Sequence, residues 1–269
     1  MAANALGLPV VILSTIGQDL YGRYLLSELE RHGLPTAGVT ALDGESTPLT
    51  VVTVGEGGPR AMVTVQGAHK ELDLAYYQGH SHLLDDCLEV FICGSYLLPK
   101  LDCRAAQAIA LDARRKRKLV CFDPSWDPTN WSQPVREATL LLLPAVDVFL
   151  PNMGELCGLM GMADWRQAAE AAARLGPELV IKRGAAGSAA LIDGHWFEAD
   201  ALPVDCRDTT GAGDVFDAAY LWARRQGWPP AERLQFANAV AGLVVQQEPR
   251  TDYPSLDEAL RYCRSTNRD

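Results

Sequence analysis

A carboxylate set directly behind a glycine-rich turn is the chemistry most legible in this chain: Asp208-Thr209-Thr210-Gly211-Ala212-Gly213-Asp214. A strand-like stretch, Ala201 to Val204, precedes it, and an apolar, alanine-rich helical pattern, Val215 to Arg225, follows. Glycines at 211 and 213 leave backbone amides unshielded by any Cβ, and a helix start adds its dipole, so the turn suits a phosphate or another developing negative charge. Asp214 would repel a phosphate beside it, so its chemical use there is to take a proton from an attacking hydroxyl. Phosphoryl transfer to an alcohol needs in-line attack, charge neutralisation and a destination for that proton. Asp214 is the candidate base, and the amides of Gly211, Ala212 and Gly213 are the candidate anion hole. An ordinary helix cap by Asp208, Thr209 or Thr210, with the glycines making a tight turn, uses the same residue types.

Two more constellations end strand-like runs. Asn152 and Glu155 follow Phe149-Leu150-Pro151 at i, i+3 spacing, which places both on one face of an opening helix. An amide and one acid suit magnesium, which keeps most of its waters; a capping pair explains them equally. Asp208 is a further candidate for the magnesium waters or for a cap. Lys182 and the glycines Gly184 and Gly187 lie where a nucleotide could rest against bare backbone, or where a hairpin turns between Ile181 and Leu191. Asp19 and Gly22 read as a capped helix start with a structural role. The aromatic stretch Trp126 to Trp131, with Asp123 and Asp127, follows a strand end and could shape a substrate side. Five scattered histidines lack metal-ligand spacing and read as surface or loop residues.

The elements that must hold these residues alternate. Strand-like runs at Val10 to Thr15, Val90 to Cys93, Leu119 to Phe122, Val146 to Leu150, Leu179 to Lys182 and Ala189 to Ile192 are separated or followed by helical patterns. Those patterns cover Asp19 to Arg31, Arg104 to Arg115, Gln133 to Leu143, Trp165 to Leu175, Asp214 to Arg225, Ala231 to Gln246 and Leu256 to Arg264. Short apolar strands between amphipathic helices predict a doubly wound, mainly parallel α/β sheet covered on both faces, with ligands at the carboxyl ends of its strands. Gly38 to Gln66 breaks the rhythm with threonine- and valine-rich pieces around Gly55-Glu56-Gly57-Gly58, predicting a β-hairpin lid on a single domain spanning 1–269.

Composition narrows the class. The 269 residues can bury a substantial core, and 48% hydrophobic with 22% charged residues is ordinary for a globular enzyme. A net charge of −10 argues against non-specific nucleic-acid binding. The basic run Arg114 to Lys118 reads as the solvated end of a helix. Seven cysteines without a C-x-x-C pair read as reduced thiols in a cytoplasmic protein, those at 93, 121 and 206 as small core residues. No apolar run reaches the ~18 residues a membrane span needs, and the first residues lack a secretory pattern. A dinucleotide oxidoreductase is poorly supported, because no G-x-G-x-x-G follows the early strand.

The string Asp208 to Asp214 followed by Val215-Phe216 resembles the C-terminal signature of the PfkB, or ribokinase-like, carbohydrate kinases. The resemblance continues, in order, through Gly17-Gln18-Asp19-Leu20-Tyr21-Gly22, Pro151-Asn152-Met153-Gly154-Glu155 and Lys182-Arg183-Gly184-Ala185-Ala186-Gly187. It implies a ribokinase-like fold with a small β lid over the sugar, often used for homodimerisation. It implies an ATP-dependent sugar kinase using ATP and Mg2+, with a monovalent cation as a further candidate. Asp214 would be the base, Gly211 to Gly213 the anion hole, and Asn152, Glu155 and Asp208 the metal side. Lys182, Gly184, Gly187 and Thr209 would contact the nucleotide, and Asn238, Ala241 and Gly242 would wall its adenine. Two departures accompany it. Asp123-Pro124-Ser125-Trp126-Asp127 stands where the family often has Asp-x-Asn-x-Arg, and Met1 to Gly7 looks like the tail of a helix, so the family's first strand and N-terminal signature are expected to be absent. The alternatives are a vitamin-alcohol kinase of the same fold, such as a pyridoxal kinase, and a non-catalytic nucleotide- or sugar-binding relative.

Overall fold

The computed structural model describes residues 1–54, 60–247 and 252–266. In chain order the elements are α1 (Ala2–Ala5), β1 (Ser14–Gly17), α2 (Leu20–Arg31), β2 (Val39–Leu42), β3 (Leu49–Val54) and β4 (Arg60–Val65). Next come α3 (Leu74–His80), β5 (Glu89–Cys93), α4 (Cys103–Arg115), β6 (Leu119–Asp123), α5 (Gln133–Leu142) and β7 (Val148–Phe149). The chain continues with α6 (Met153–Met160), α7 (Trp165–Ala173), β8 (Glu178–Lys182), β9 (Ser188–Ile192), β10 (His195–Ala199), α8 (Ala212–Arg225), α9 (Pro230–Val245) and α10 (Leu256–Thr266).

Six strands form the main sheet in the order β10-β9-β8-β7-β6-β5; β5 to β8 run parallel, while β9 and β10 return antiparallel. Alternation along the strands divides the core in two. Val120, Phe122, Phe149, Leu179 and Ile181 pack with Ala106, Ile109, Ala110, Leu142, Leu156 and Ala168 from helices on one face. Cys121, Val148, Leu150, Val180 and Ala190 pack with Leu6, Val215, Ala219, Tyr220, Phe236 and Val240 on the other. This is the two-faced burial that continuous apolar strands require. Four helix starts are capped by the aspartate that precedes them: the Asp19, Asp73, Asp102 and Asp164 carboxylates each accept an amide of their own first turn. Asp19 thus has the structural place expected of it. It also accepts the Thr47 hydroxyl at 2.5 Å and the Thr47 amide at 2.7 Å, fastening α2 to the base of β3, and the hydroxyl first, then the two amides, hold its carboxyl down at about 2.

The smaller pieces differ from the sequence expectation in instructive ways. Of the Val10 to Thr15 run only Ser14 and Thr15 are strand; β1 continues to Gly17 and pairs in parallel with β2 as a separate two-stranded sheet. The 38–66 segment is therefore more than a hairpin: β2 belongs to that sheet, and β3 with β4 forms the antiparallel ribbon. The Gly55 to Gly58 turn lies outside the described residues. β10 was not expected, because His195-Trp196-Phe197-Glu198-Ala199 is short and mixed; its register against β9 makes it the sheet edge. Ala201 to Val204 is not a strand. It passes over Gly187, where an added Cβ would meet Ala199 O at 2.1 Å and Ala201 N at 2.5 Å, and Gly187 adopts φ +79. Lys118, assigned to a solvated helix end, is buried, its ammonium donating to the carbonyls of Asp85 and Cys87. His69 is half-buried with its ring on Ser14 Oγ, and His80 stacks on Tyr76, so these two are packing residues. Cys121 is buried as expected, whereas Cys93 and Cys206 are exposed at a strand end and in a loop. Among the described residues no helix is long and apolar enough to cross a membrane.

Candidate active site

Four chain segments deliver side chains to the carboxyl end of the parallel strands. β6 ends on Asp123, the chain leaving β7 reaches Asn152, β8 ends on Lys182, and α8 begins at Ala212. Gly211 caps α8 with φ +69, a left-handed conformation that favours glycine, so the Thr209–Ala212 turn closes without strain. The Ala212 amide donates to Thr209 O at 3.1 Å, so this amide of the expected anion hole is engaged by the turn itself. Among the described residues the Gly211 and Gly213 amides make no backbone hydrogen bond, as helix starts require. Asp214 stands exposed in the first turn of α8. Asp208 Oδ1 accepts the Thr210 amide at 2.9 Å, shaping the approach to the turn.

Beneath this turn lies a buried charge cluster. The Lys182 ammonium donates to Asp123 Oδ2 at 3.0 Å and to Asp217 Oδ1 and Oδ2 at 3.1 and 3.0 Å. Its stem runs under Gly213, whose Cβ, were one present, would lie 3.6 Å from Nζ. Burial pulls the ammonium pKa down, but Asp217, Asp123 and Glu155 more than offset it and hold the group above its usual range. Burial likewise pushes Asp123 up, yet Lys182, Asp217 and the Ser125 amide bring it net below the ordinary value. Asp217, almost fully enclosed, is raised by burial.

Asn152 and Glu155 form a reciprocal capping box: Glu155 N donates to Asn152 Oδ1 at 2.9 Å, and Asn152 N to Glu155 Oε2 at 2.7 Å. Both sequence readings of the pair thus share one geometry, since capping leaves Glu155 beside the cluster. Burial first, then the Asp123 carboxylate, pushes Glu155 up to about 7, with Asp214 adding to the rise. Several carboxylates raising one another is a donor field that a divalent cation would relieve. No three His, Cys, Asp or Glu side chains among the described residues converge closely enough to ligate a metal together; the Glu155 carboxylate, crowded by Asp123 and Asp214, has the chemistry to face a Mg2+ ion that keeps most of its own waters. Glu155→Gln, which keeps the cap's shape, is expected to weaken apparent Mg2+ affinity by roughly tenfold, read from the metal dependence of turnover.

Several expected nucleotide contacts are placed differently. Lys182 donates to two carboxylates. Gly184 to Gly187 is the turn of the β8–β9 hairpin, closed by Arg183 N to Gly187 O at 2.8 Å; Gly187 faces the 199–201 backbone, while Gly184 borders open space. Asn238 on α9 donates to the carbonyls of Ala199 and Asp200 at 3.0 and 3.1 Å, and Gly242 packs on Val204, tying α9 to the chain beyond β10; Ala241 next to them is half-buried. Thr209 is exposed at the turn. On the substrate side, Asp127 is an internal staple, accepting the Thr129 and Trp131 amides at 2.9 and 2.7 Å. Trp131 lies edge-on between Tyr96 and Trp126, and Trp126 is 54% exposed. Asp217 escaped the sequence reading, although a lone carboxylate within Val215-Phe216-Asp217-Ala218-Ala219 was the available signal.

Sheet order and site together define the ribokinase-like class of α/β fold. The chain belongs to the pfkB family of carbohydrate kinases, whose family model matches residues 1–255, and by that membership it is an ATP-dependent carbohydrate kinase. It is similar to a sugar kinase of Archaeoglobus fulgidus, 28% identical over 92% of this chain and 95% of that one, and to the ribokinase of Arabidopsis thaliana, 29% identical over 88% and 62%. Among solved structures it resembles Arabidopsis ribokinase complexed with ribose and ATP (TM-score 0.82, 25% identity, 97% and 84% covered). It also resembles a provisionally named E. coli ribokinase II in complex with ATP and Mg2+ (TM-score 0.87, 25% identity, 98% and 86% covered).

Proposed function

We propose that this chain transfers the γ-phosphoryl group of ATP to a hydroxyl of a small carbohydrate, with Asp214 as general base. The observation that carries the reading is Asp214 exposed at the start of α8, one residue beyond Gly213, whose amide makes no backbone hydrogen bond among the described residues. Asp214 accepts the proton of the acceptor hydroxyl as its oxygen attacks. The amides of Gly211 and Gly213, with the dipole of α8, stabilise charge on the oxygens of the group in transit. Asn152 and Glu155 would hold a magnesium ion through its waters, and that ion would neutralise phosphate charge. Asp208 shapes the turn, and Thr209 and Gly184 border the nucleotide. Trp126 offers an apolar face against which a sugar ring can lie.

Release of ADP is measured with Mg2+ and ATP over a panel of ribose, fructose, a ketodeoxygluconate, nucleosides and pyridoxal, with and without K+. One carbohydrate is expected to raise ADP release well above the ATP-only background. Binding of ATP without ADP from any acceptor would instead support a non-catalytic binder.

The lid supports a second copy as partner. Leu49 pairs with Val65 and Val51 with Val63, so one face of the ribbon presents four exposed apolar side chains. Such a face is commonly covered by a partner. Val63→Asp is expected to shift a dimer to monomer in light scattering; an unchanged mass would remove the lid from the interface.

A further inference from the structure

The Lys182 cluster joins the three parts of the site that must keep register during transfer, an inference that rests on the kinase reading above. Asp123 closes β6 and Lys182 closes β8, with β7 between them, so the lysine reaches across the end of the middle strand. Asp123 turns its other oxygen, Oδ1, to the Ser125 amide at 2.8 Å, and so holds the start of the loop that carries Trp126. Asp217 lies three residues after Asp214 on α8, so both carboxylates share one side of its first turns. All three ammonium donors are used, and the side chains of Lys182, Asp123 and Asp217 are 12%, 7% and 1% exposed.

Stability alone does not account for this arrangement. A buried ion pair is commonly no better for stability than two well-packed apolar side chains in its place. What charge adds here is direction: one ammonium forms hydrogen bonds of set geometry to two segments that share no backbone pairing. We propose that Lys182 is a positioning residue for phosphoryl transfer. By gripping Asp217 and Asp123 it fixes the first turn of α8 against the 124–131 loop, and thereby sets the distance from Asp214 to the acceptor hydroxyl. The Lys182 side chain touches neither substrate; it acts through Asp217 and Asp123.

The test removes the charges while keeping the volume. The double variant Lys182→Met/Asp217→Leu, made in an Asp123→Asn background so that no carboxylate is left buried without its cation, is expected to melt within roughly 5 °C of wild type, as apolar replacements of buried ion pairs often do. Its kcat is expected to fall by about 10², the scale of a displacement near 1 Å, while KM for ATP changes less than about threefold. Amide hydrogen exchange across residues 211–217 should accelerate in the folded double variant. Wild-type kcat in that variant overturns the proposal, as does a loss confined to KM for ATP, which would return Lys182 to the nucleotide. Should the double variant not fold, Asp217→Asn decides: it keeps the shape and weakens the grip, and unchanged kcat and exchange there also overturn the proposal. The exchange readout needs no turnover. If wild type releases no ADP with any acceptor, the kinase reading fails, whereas unchanged exchange in a folded variant fails the tether by itself.

Discussion

Asp214→Asn is expected to lower kcat by at least ~10², the usual contribution of a positioned general base, while KM for ATP stays within about threefold. Asparagine fills the same space and keeps its amide at the start of α8, but its side chain cannot take a proton from an alcohol. Stability should move little. Asp214 is exposed in the first helical turn, and losing one favourable charge there costs about 0.3–1 kcal/mol. Steady-state ADP release and a thermal melt on the same preparation separate the two effects. Ordinary turnover would remove Asp214 from the mechanism. A melt lowered along with kcat would mean that the substitution had disturbed the turn and not the proton transfer.

Phe149→Ala should do the opposite, with a large loss of stability and little change in chemistry. Phe149 is fully buried on β7, its ring stacked on that of Phe122 with centroids 5.7 Å apart. Removing it leaves a cavity between the central strands and the first helical layer, at a cost of about 3–5 kcal/mol. For a chain of this size that corresponds to a fall in melting temperature of roughly 10 °C. Phe149 precedes Asn152 by three residues but makes no polar contact with the site, so turnover measured well below the transition should stay within about threefold of wild type. A melt unchanged by the substitution would contradict the packing of β7 as the middle of the core.

These two residues also mark how far the sequence could be read. Phe149 belonged to an apolar run too short for a helix, and its burial followed from the alternation of strands and helices. Asp214 stood in a string whose glycines and carboxylate make chemical sense only at a helix start, and the helix begins there. A lysine after a strand and before a glycine turn reads as a phosphate ligand, and nothing in that local spacing points to carboxylates. Those that Lys182 meets, on Asp123 and Asp217, lie 59 and 35 residues away in the chain. Gly187 poses the same question: a bare backbone can admit a ligand or another stretch of chain, and residues 199–201 lie against it.

Local patterns alone therefore determined the two-faced parallel sheet, the ribbon of β3 and β4, the capped helices and the glycine turn before Asp214. Each of these depends on neighbours within a few residues, where spacing and backbone preference act directly. Tertiary structure decided which charges meet, because pairing across a sheet depends on strand order and helix docking, and neither is written in the spacing of residues along the chain. The buried ammonium held between two carboxylates beneath the turn of α8 exists only once β6, β8 and that helix are assembled.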